Sequence, residues 1–134
     1  PMMTADMSTI SLGAGGVQTL SLMAGSRNAG LSYLVAGSAS GTVPGFALQG
    51  VDTPLNLDSY FFTSLFGANL PPFVTTAGVL DGSGNANAGF GLPAGTSPAL
   101  VGLSLDHAFY VVDPSRGTLA FTDVSNAVNL ALIP

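Results

Sequence analysis

The chain contains a single histidine, His107, which is the first residue to consider for catalysis or metal binding. It lies within the apolar run LSLDHAFYVVD at 103–113, whose alternation is typical of a β-strand. His107 shares one face of that strand with leucine, phenylalanine and valine side chains, whereas Asp106 points to the other face and cannot orient the imidazole. The pattern therefore favours a buried, neutral, hydrogen-bonded histidine over a general base.

Other catalytic and cofactor signals are scarce. The chain has no cysteine and no glutamate, so the usual zinc ligand sets cannot form around one histidine. No G-x-S-x-G elbow is present, and no two carboxylates are spaced for acid–base work. The sequence predicts no catalytic residue, no cofactor and no enzymatic activity.

The aspartates are the remaining candidates for metal binding. The segment 81–85, DGSGN, begins like a calcium loop, with side-chain oxygens at its first, third and fifth positions. Ala86 stands where an EF-hand needs glycine and Leu92 where it needs glutamate, so a turn is favoured. Four other aspartates could form a different calcium site if the fold gathers two or three of them, and capping or Asx-turns are the alternative. These are Asp52, Asp58, Asp113 and Asp123.

Charge is unusually rare in this sequence. Charged residues make up 7% of the chain, hydrophobic residues 47%, and the net charge is -5. Two arginines cannot form a basic patch, which excludes nucleic acid as a partner. A surface this poor in charge repels identical copies weakly, which favours a homo-oligomer or polymer. The alternative is that low charge is merely a habit of some secreted proteins.

The order of elements predicts one domain, residues 9–134, preceded by an N-terminal arm or frayed end at 1–8. About eight short strands separated by turn residues, with at most one short helix, indicate an all-β fold. The expected architecture is an antiparallel two-sheet β-sandwich, Greek-key or jelly-roll-like, with a closed barrel as the alternative. The segment 57–67 is compatible with a helix or a strand, and Asp58 as a cap and Gly67 as a terminator favour the helix. No run reaches the ~18 apolar residues of a membrane-spanning helix, and Pro1–Leu12 does not resemble a signal peptide.

The clearest hairpin signal joins Val74–Leu80 to Asn85–Leu92 through the turn at 81–84. Alanine, phenylalanine and leucine side chains of the second strand are predicted to face inward. Its outward residues, among them Asn87, Gly89 and Gly91, are small or polar. Such a face would allow another backbone to approach closely.

Six motifs cover most of the chain beyond about residue 9. They are GGVQTLSLMAG (15–25), AGLSYLVAGSASGTVPG (29–45), PLNLDSYF (54–61), VLDGSGNANAGFGLP (79–93), LVGLSLDHAFYVVDP (100–114) and SNAVNLALIP (125–134). Together they resemble a β-rich domain that recurs in predicted secreted and surface proteins of Planctomycetes and other environmental bacteria. The resemblance implies an extracellular module, often near the C-terminus of a larger protein, with no assigned enzymatic activity. Asp106 stands where related chains often have a second histidine, which argues against metal binding.

These observations predict a non-enzymatic extracellular structural protein, a subunit or module of a cell-surface or filamentous assembly. The N-terminal arm could add a strand to the open sheet edge of a neighbour. The alternative is an adhesion module that binds carbohydrate or another surface ligand, including other surface proteins, through loops 37–56 and 67–73. The expected assembly contacts are Met3, Met7, Ile10 and Leu12 near the N-terminus, with Asn87, Gly89 and Gly91 on the hairpin.

Overall fold

The computed structural model describes residues 2–116 and 120–134, which form twelve β-strands, one α-helix and three 3-10 helices. The helix is α1 (Ser59–Phe66), and the 3-10 turns are Ser26–Asn28, Pro98–Leu100 and Pro114–Arg116. The strands are β1 (Met3–Ala5), β2 (Thr9–Ser11), β3 (Gly16–Met23), β4 (Ser32–Ser38), β5 (Phe46–Leu48), β6 (Val51–Thr53), β7 (Phe73–Val74), β8 (Ala77–Val79), β9 (Asn85–Leu92), β10 (Ser104–Asp113), β11 (Ala120–Val124) and β12 (Val128–Ile133).

Two large sheets and one ribbon contain these strands. The four-stranded sheet has the order β1-β3-β9-β7, and the six-stranded sheet has the order β2-β12-β10-β4-β8, with β11 paired to β10. The ribbon is β5-β6. The described residues are therefore mainly β-structure with one helix, as predicted, but their twelve strands exceed the eight expected. One pairing, β2 with β12, is parallel rather than antiparallel.

The two large sheets pack face to face as a β-sandwich. Leu20 and Leu22 of β3 share one buried cluster with Phe109 and Val111 of β10. A second cluster joins Phe90 of β9 to leucines of β10 and β12. In each strand these residues alternate with residues on the opposite face, so each strand contributes one face to the space between the two sheets.

Strand β10 is the centre of the six-stranded sheet, as its long apolar run predicts. Strand β4 lies along one edge of β10, while β12 and β11 divide the other edge. Its second face, with Ala108, Tyr110 and Val112, is covered by a third cluster that includes Leu55 and Phe61. Ser104, at the start of β10, is exposed. The strand is therefore solvated at one end and covered on both faces at the other.

Helix α1 forms where the sequence was ambiguous. Asp58 Oδ1 accepts a hydrogen bond from the Phe61 amide at 2.9 Å, and the Gly67 amide donates to the Thr63 carbonyl at 2.9 Å. Both termini therefore satisfy backbone groups that a helix end leaves open. The buried Ser64 hydroxyl accepts from the Gly37 amide at 3.0 Å, which ties the helix to β4. The predicted helix is confirmed.

The predicted hairpin at 74–92 is wrong. Strand β8 pairs with β4 in one sheet, whereas β9 pairs with β3 and β7 in the other. The turn itself exists, since the Asp81 amide donates to the Asn85 carbonyl at 2.9 Å. Between β7 and β8 the chain crosses from one sheet to the other at Thr75, whose φ is +44°, and at the buried Thr76. The Thr76 carbonyl accepts from the Val35 amide at 2.7 Å, so β8 is already committed to β4.

The segment expected to be an arm or a frayed end instead lies within the fold from residue 2 onward, and Pro1 is outside the described residues. Strand β1 pairs with β3, and Met3 is 1% exposed inside the sandwich. The chain then crosses to the other sheet, where β2 lies beside β12. The buried Gln18 amide fastens this crossover, because its Nε2 donates to the carbonyls of Met7 at 2.8 Å and Asn129 at 3.2 Å.

Candidate functional site

His107 lies between the two sheets and is hydrogen-bonded to Tyr60 of α1. Tyr60 Oη is 2.7 Å from His107 Nε2. Gly37 stands directly across from His107 on β4, and a Cβ there would overlap the Tyr60 ring and lie 2.8 Å from His107 Cδ2. The glycine therefore makes room for the pair. Sequence reasoning found the buried histidine but missed Tyr60, since nothing in the local pattern links residues 47 positions apart.

Burial holds both members of this pair in their neutral forms. It lowers the pKa of His107 from 6.5 to about 4. Burial, followed by the negative charge of Asp58, raises the pKa of Tyr60. One hydrogen bond therefore joins two neutral groups, Tyr60 Oη and His107 Nε2. Within the described residues Nδ1 has no hydrogen-bond partner. Neither group exchanges a proton near neutral pH. The hydrogen bond between them therefore serves to hold the Tyr60 ring in place.

The four candidate calcium aspartates are only partly gathered. Asp113 and Asp123 line one cleft of about 330 Å³ together with Arg27, whereas Asp52 and Asp58 lie on other elements. Throughout the part of the chain that the structure describes, no three acidic or histidine side chains are placed to hold a metal ion. Asp81 Oδ1 accepts from the amides of residues 83 and 85, chiefly the latter, and these bonds lower its pKa. The DGSGN segment is therefore an Asx-type turn, the interpretation that the sequence favoured.

Asp58 is the most heavily hydrogen-bonded carboxylate. Besides capping α1 through Oδ1, it accepts through Oδ2 from Ser38 Oγ at 3.0 Å, Ser40 Oγ at 2.6 Å and the Ala39 amide at 2.9 Å. Partial burial alone would raise its pKa, but these bonds and the cap outweigh burial and lower it. Asp58 thus joins the end of β4 to the start of the helix, which is the capping role that its position predicted.

Two asparagine side chains occupy the outer edges of two edge strands. Asn126 Oδ1 accepts from the Met3 amide at 3.0 Å, and its Nδ2 donates to the Met3 carbonyl at 2.9 Å. Asn69 pairs in the same reciprocal way with the backbone of Ala77, at 3.0 and 3.1 Å. Each amide imitates the next strand and thereby blocks backbone pairing at the edges of β1 and β8. Sequence reasoning missed both caps, which depend on contacts across loops.

The solvent-facing side of the four-stranded sheet is built from uncharged residues. None of the aspartates or arginines belongs to β1, β3, β7 or β9. Three apolar side chains are exposed there: Val17, Met23 and Val74, at 48%, 40% and 47%. Small and polar residues surround them, and cross-strand neighbours on this face include Thr19 with Gly89. This surface is called the outer face below.

The predicted assembly residues divide between this face and the interior. Met3, Ile10 and Leu12 are buried in the sandwich, while Met7 and Asn87 are exposed. Gly89 is buried and Gly91 half-buried, because Val17 packs over them. A Cβ at Gly91 would lie 3.0 Å from Val17 Cγ2, so packing within the chain already explains this glycine.

A second exposed apolar feature lies on the solvent side of α1. Phe62 and Phe66 are 45% and 84% exposed, and their rings stack with centroids 6.3 Å apart and planes 18° from parallel. Phe61, which precedes both in sequence, is buried and meets Phe46 edge to face at 5.1 Å. The helix therefore buries one aromatic ring and presents two as a flat strip.

Comparison with known proteins assigns no family to the chain. No protein-family model matches it, and no curated protein matches it. Among solved structures it is similar to the ASH/PapD-like domain of human CEP192 (PapD-like domain 7), at 9% identity and a TM-score of 0.36, over 98% of this chain and 84% of that one. No conclusion is drawn from a likeness that weak. The resemblance to the planctomycete surface domain therefore stays a prediction. No helix of the described residues is long and apolar enough to cross a membrane.

Proposed function

We propose that this chain is a non-enzymatic extracellular assembly protein, whose copies associate through the outer face into a cell-surface or filamentous structure. The observation that carries the proposal is the combination of exposed Val17, Met23 and Val74 with the absence of any charged residue on the four strands of that sheet. Exposed apolar area without charge is typical of surfaces that bury themselves against a partner.

Association through faces is favoured over strand addition at edges. The N-terminal residues that were expected to be donated, Met3 and Ile10, are engaged in the chain's own core. The edges of β1 and β8 carry the asparagine caps, and β7 is only two residues long. At these three edges a neighbour would therefore find few backbone groups to pair with, whereas the outer face needs no rearrangement.

A second copy fits the outer face better than a charged partner. No aspartate belongs to the four strands, but Asp6 accepts from the Thr19 amide at 2.8 Å, and Asp81 lines a cleft with Met23 and Asn87. Two copies can therefore meet without opposing like charges if Asp6 and Asp81 stay at the rim of the contact. Strands β3 and β9 are eight residues each, which makes the face about 27 Å long and gives roughly 400 Å² per copy. A standard interface buries about 800 Å² per partner, so we expect weak, concentration-dependent association that repetition strengthens.

We further propose that the sandwich is of the Greek-key or jelly-roll-like kind. Successive strands alternate between the two large sheets from β1 to β4 and again from β7 to β10. Alternation of this kind requires connections that pass over the ends of the sandwich, which both architectures use.

The test combines electron microscopy with mass measurement in solution across a wide range of protein concentration. We expect ordered oligomers or filaments from the native chain. In Val17→Lys a charge replaces an exposed apolar side chain of the outer face, and we expect association at least about tenfold weaker, because the contact would desolvate the ammonium. Ala47→Lys on the ribbon adds the same charge on another surface and is the matched control.

The outcomes separate the possibilities clearly. A native chain that stays monomeric at every concentration would overturn the proposal. Equal weakening by both lysine substitutions would assign the effect to net charge rather than to the outer face.

The second candidate function is binding of carbohydrate or another surface ligand in an adhesion module. The stacked Phe62 and Phe66 strip favours it, because flat exposed rings pack well against the apolar face of a sugar, and loops 37–56 and 67–73 flank the helix in sequence. Polysaccharide affinity electrophoresis is the test. Phe62→Ser with Phe66→Ser should abolish retardation, and Val79→Ser, at a position 64% exposed on β8 and outside both loops, should not. If polysaccharide still retards the double variant, the Phe62 and Phe66 strip is not the binding site.

A further inference from the structure

A cavity of about 330 Å³ lies between the two sheets, at the end of the sandwich where β9 and β12 finish. Its buried floor is formed by Phe73, Phe90, Leu105 and Leu132, and Tyr60 forms part of its wall. Among the described residues that line it, none is charged. The cavity therefore offers a neutral and almost entirely carbon-lined space.

This space is a pocket that opens to solvent beside the partly exposed Leu103, with a floor of buried rings and leucines. A volume of 330 Å³ corresponds to about eleven waters at roughly 30 Å³ each. Apolar cavities of about 150 Å³ already bind benzene-sized molecules. A cavity about twice that size has room for a fused pair of aromatic rings.

The two polar side chains of the wall are already engaged. Tyr60 Oη is bonded to His107 Nε2 at 2.7 Å, and Thr63 Oγ1 donates to the Ser59 carbonyl at 3.0 Å. A charged ligand would lose its hydration here without compensation. We propose that the cavity binds small neutral aromatic molecules.

The aromatic walls are fixed before any ligand arrives. The Tyr60 ring is held by His107 and packs against Phe73 with centroids 6.0 Å apart. Phe73 meets Phe90 at 5.9 Å in an edge-to-face contact. A pocket built in advance spends little of its binding energy on ordering side chains. This also assigns a role to His107, which positions the Tyr60 wall.

The experiment titrates the native chain with naphthalene and follows the leucine methyl groups by ¹³C NMR. We expect the methyl signals of Leu105 and Leu132 to shift saturably, while those of Leu22, in the other interior cluster, stay unchanged. 2-Naphthoate, which adds a carboxylate to the same rings, should bind at least about tenfold more weakly, because its charge would be desolvated.

Two variants locate the site. Leu103→Trp fills the cavity from its partly exposed rim and should weaken naphthalene binding at least tenfold, whereas Leu57→Trp, at an exposed leucine outside it, should not. If Leu103→Trp does not fold, the comparison of naphthalene with 2-naphthoate on the native chain still tests the proposal. No saturable shift, equal binding of naphthoate, or a shift of the Leu22 methyl groups as large as those of Leu105 and Leu132 would overturn the proposal.

Discussion

The six-stranded and four-stranded sheets come from the same charge-poor chain but bury different numbers of faces. The six-stranded sheet is covered on one side by the four-stranded sheet and on the other by α1 and the β5-β6 ribbon. The four-stranded sheet buries only its inner face. In β10 apolar residues stand on both faces, whereas β9 alternates alanine, phenylalanine and leucine with asparagine and glycine. The open face of the four-stranded sheet therefore carries uncharged polar residues, glycines and three exposed apolar side chains in place of charged residues.

The largest expected effect separates the centre of one sheet from the surface of the other. Phe109→Ala should lower the free energy of unfolding by about 3–5 kcal/mol, because it removes a fully buried ring from the middle of β10. Thr19→Ala on the outer face should change it by less than about 0.5 kcal/mol. Urea denaturation of both variants measures the contrast. Similar losses would mean that the outer face is also part of the stabilising core.

The second prediction concerns pH and the space between the sheets. The unfolded chain protonates His107 below pH 6.5, and the folded protein only near pH 4. Between these values the unfolded state binds more protons, so stability is complete above about pH 6.5 and falls by about 3 kcal/mol as the pH drops to 4. Urea midpoints at pH 7 and pH 4.5 measure this loss.

His107→Gln is the matched variant, because its side-chain amide is neutral at every pH in this range and can still hydrogen-bond Tyr60. It should remove most of the difference between pH 7 and pH 4.5. Asp58 contributes to stability over a lower pH range. Because its pKa is lowered by folding, the stabilisation that it provides is lost only as the pH falls below about 3.8. An unchanged pH dependence in the glutamine variant would show that His107 is not the group responsible.

The smallest expected effect on stability comes from removing the asparagine caps at the edges of β1 and β8. Asn126→Ala and Asn69→Gly each expose a capped backbone pair and should cost about 1–2 kcal/mol. Glycine is chosen at position 69 because its φ is +65°. Asn85→Ala, at an exposed asparagine of the outer face, is the control and should be nearly neutral.

Light scattering provides the second readout for the caps. Opened edges should increase disordered aggregation in the two cap variants but not in the control. If cap removal instead produced the same ordered particles as the native chain, with higher affinity, strand pairing rather than face packing would govern assembly.

Local signals made part of this fold predictable. The alternation of β10 with its closing Asp113-Pro114, and the Asp58 and Gly67 ends of α1, depend on residues close together in sequence. The burial of His107 followed from the apolar residues on its own face. The interpretation of Asp58 as a cap followed from its position before the aromatic run.

The remaining features depend on pairing between residues far apart in sequence and could not be predicted from local patterns. The turn at 81–84 gave a hairpin signal, but β8 joined β4, and no local feature announces that choice. The N-terminal segment has no periodicity, and only its pairing with β3 shows where it belongs. Tyr60 meets His107, and Asn126 meets Met3, across 47 and 123 positions, so side-chain chemistry alone could not pair them.

The parallel pairing of β2 with β12 has a mechanical consequence. These strands lie near opposite ends of the chain but run in the same direction, with Thr9 beside Ala131 and Ser11 beside Ile133. A pull applied to the two ends would drag them past one another lengthwise, so their hydrogen bonds share the load instead of opening one at a time. The same pull would load the Gln18 clamp, whose amide holds the crossover and β12 together. Tension applied before Thr9 and after Ile133 would thus meet resistance where β2 and β12 lie side by side.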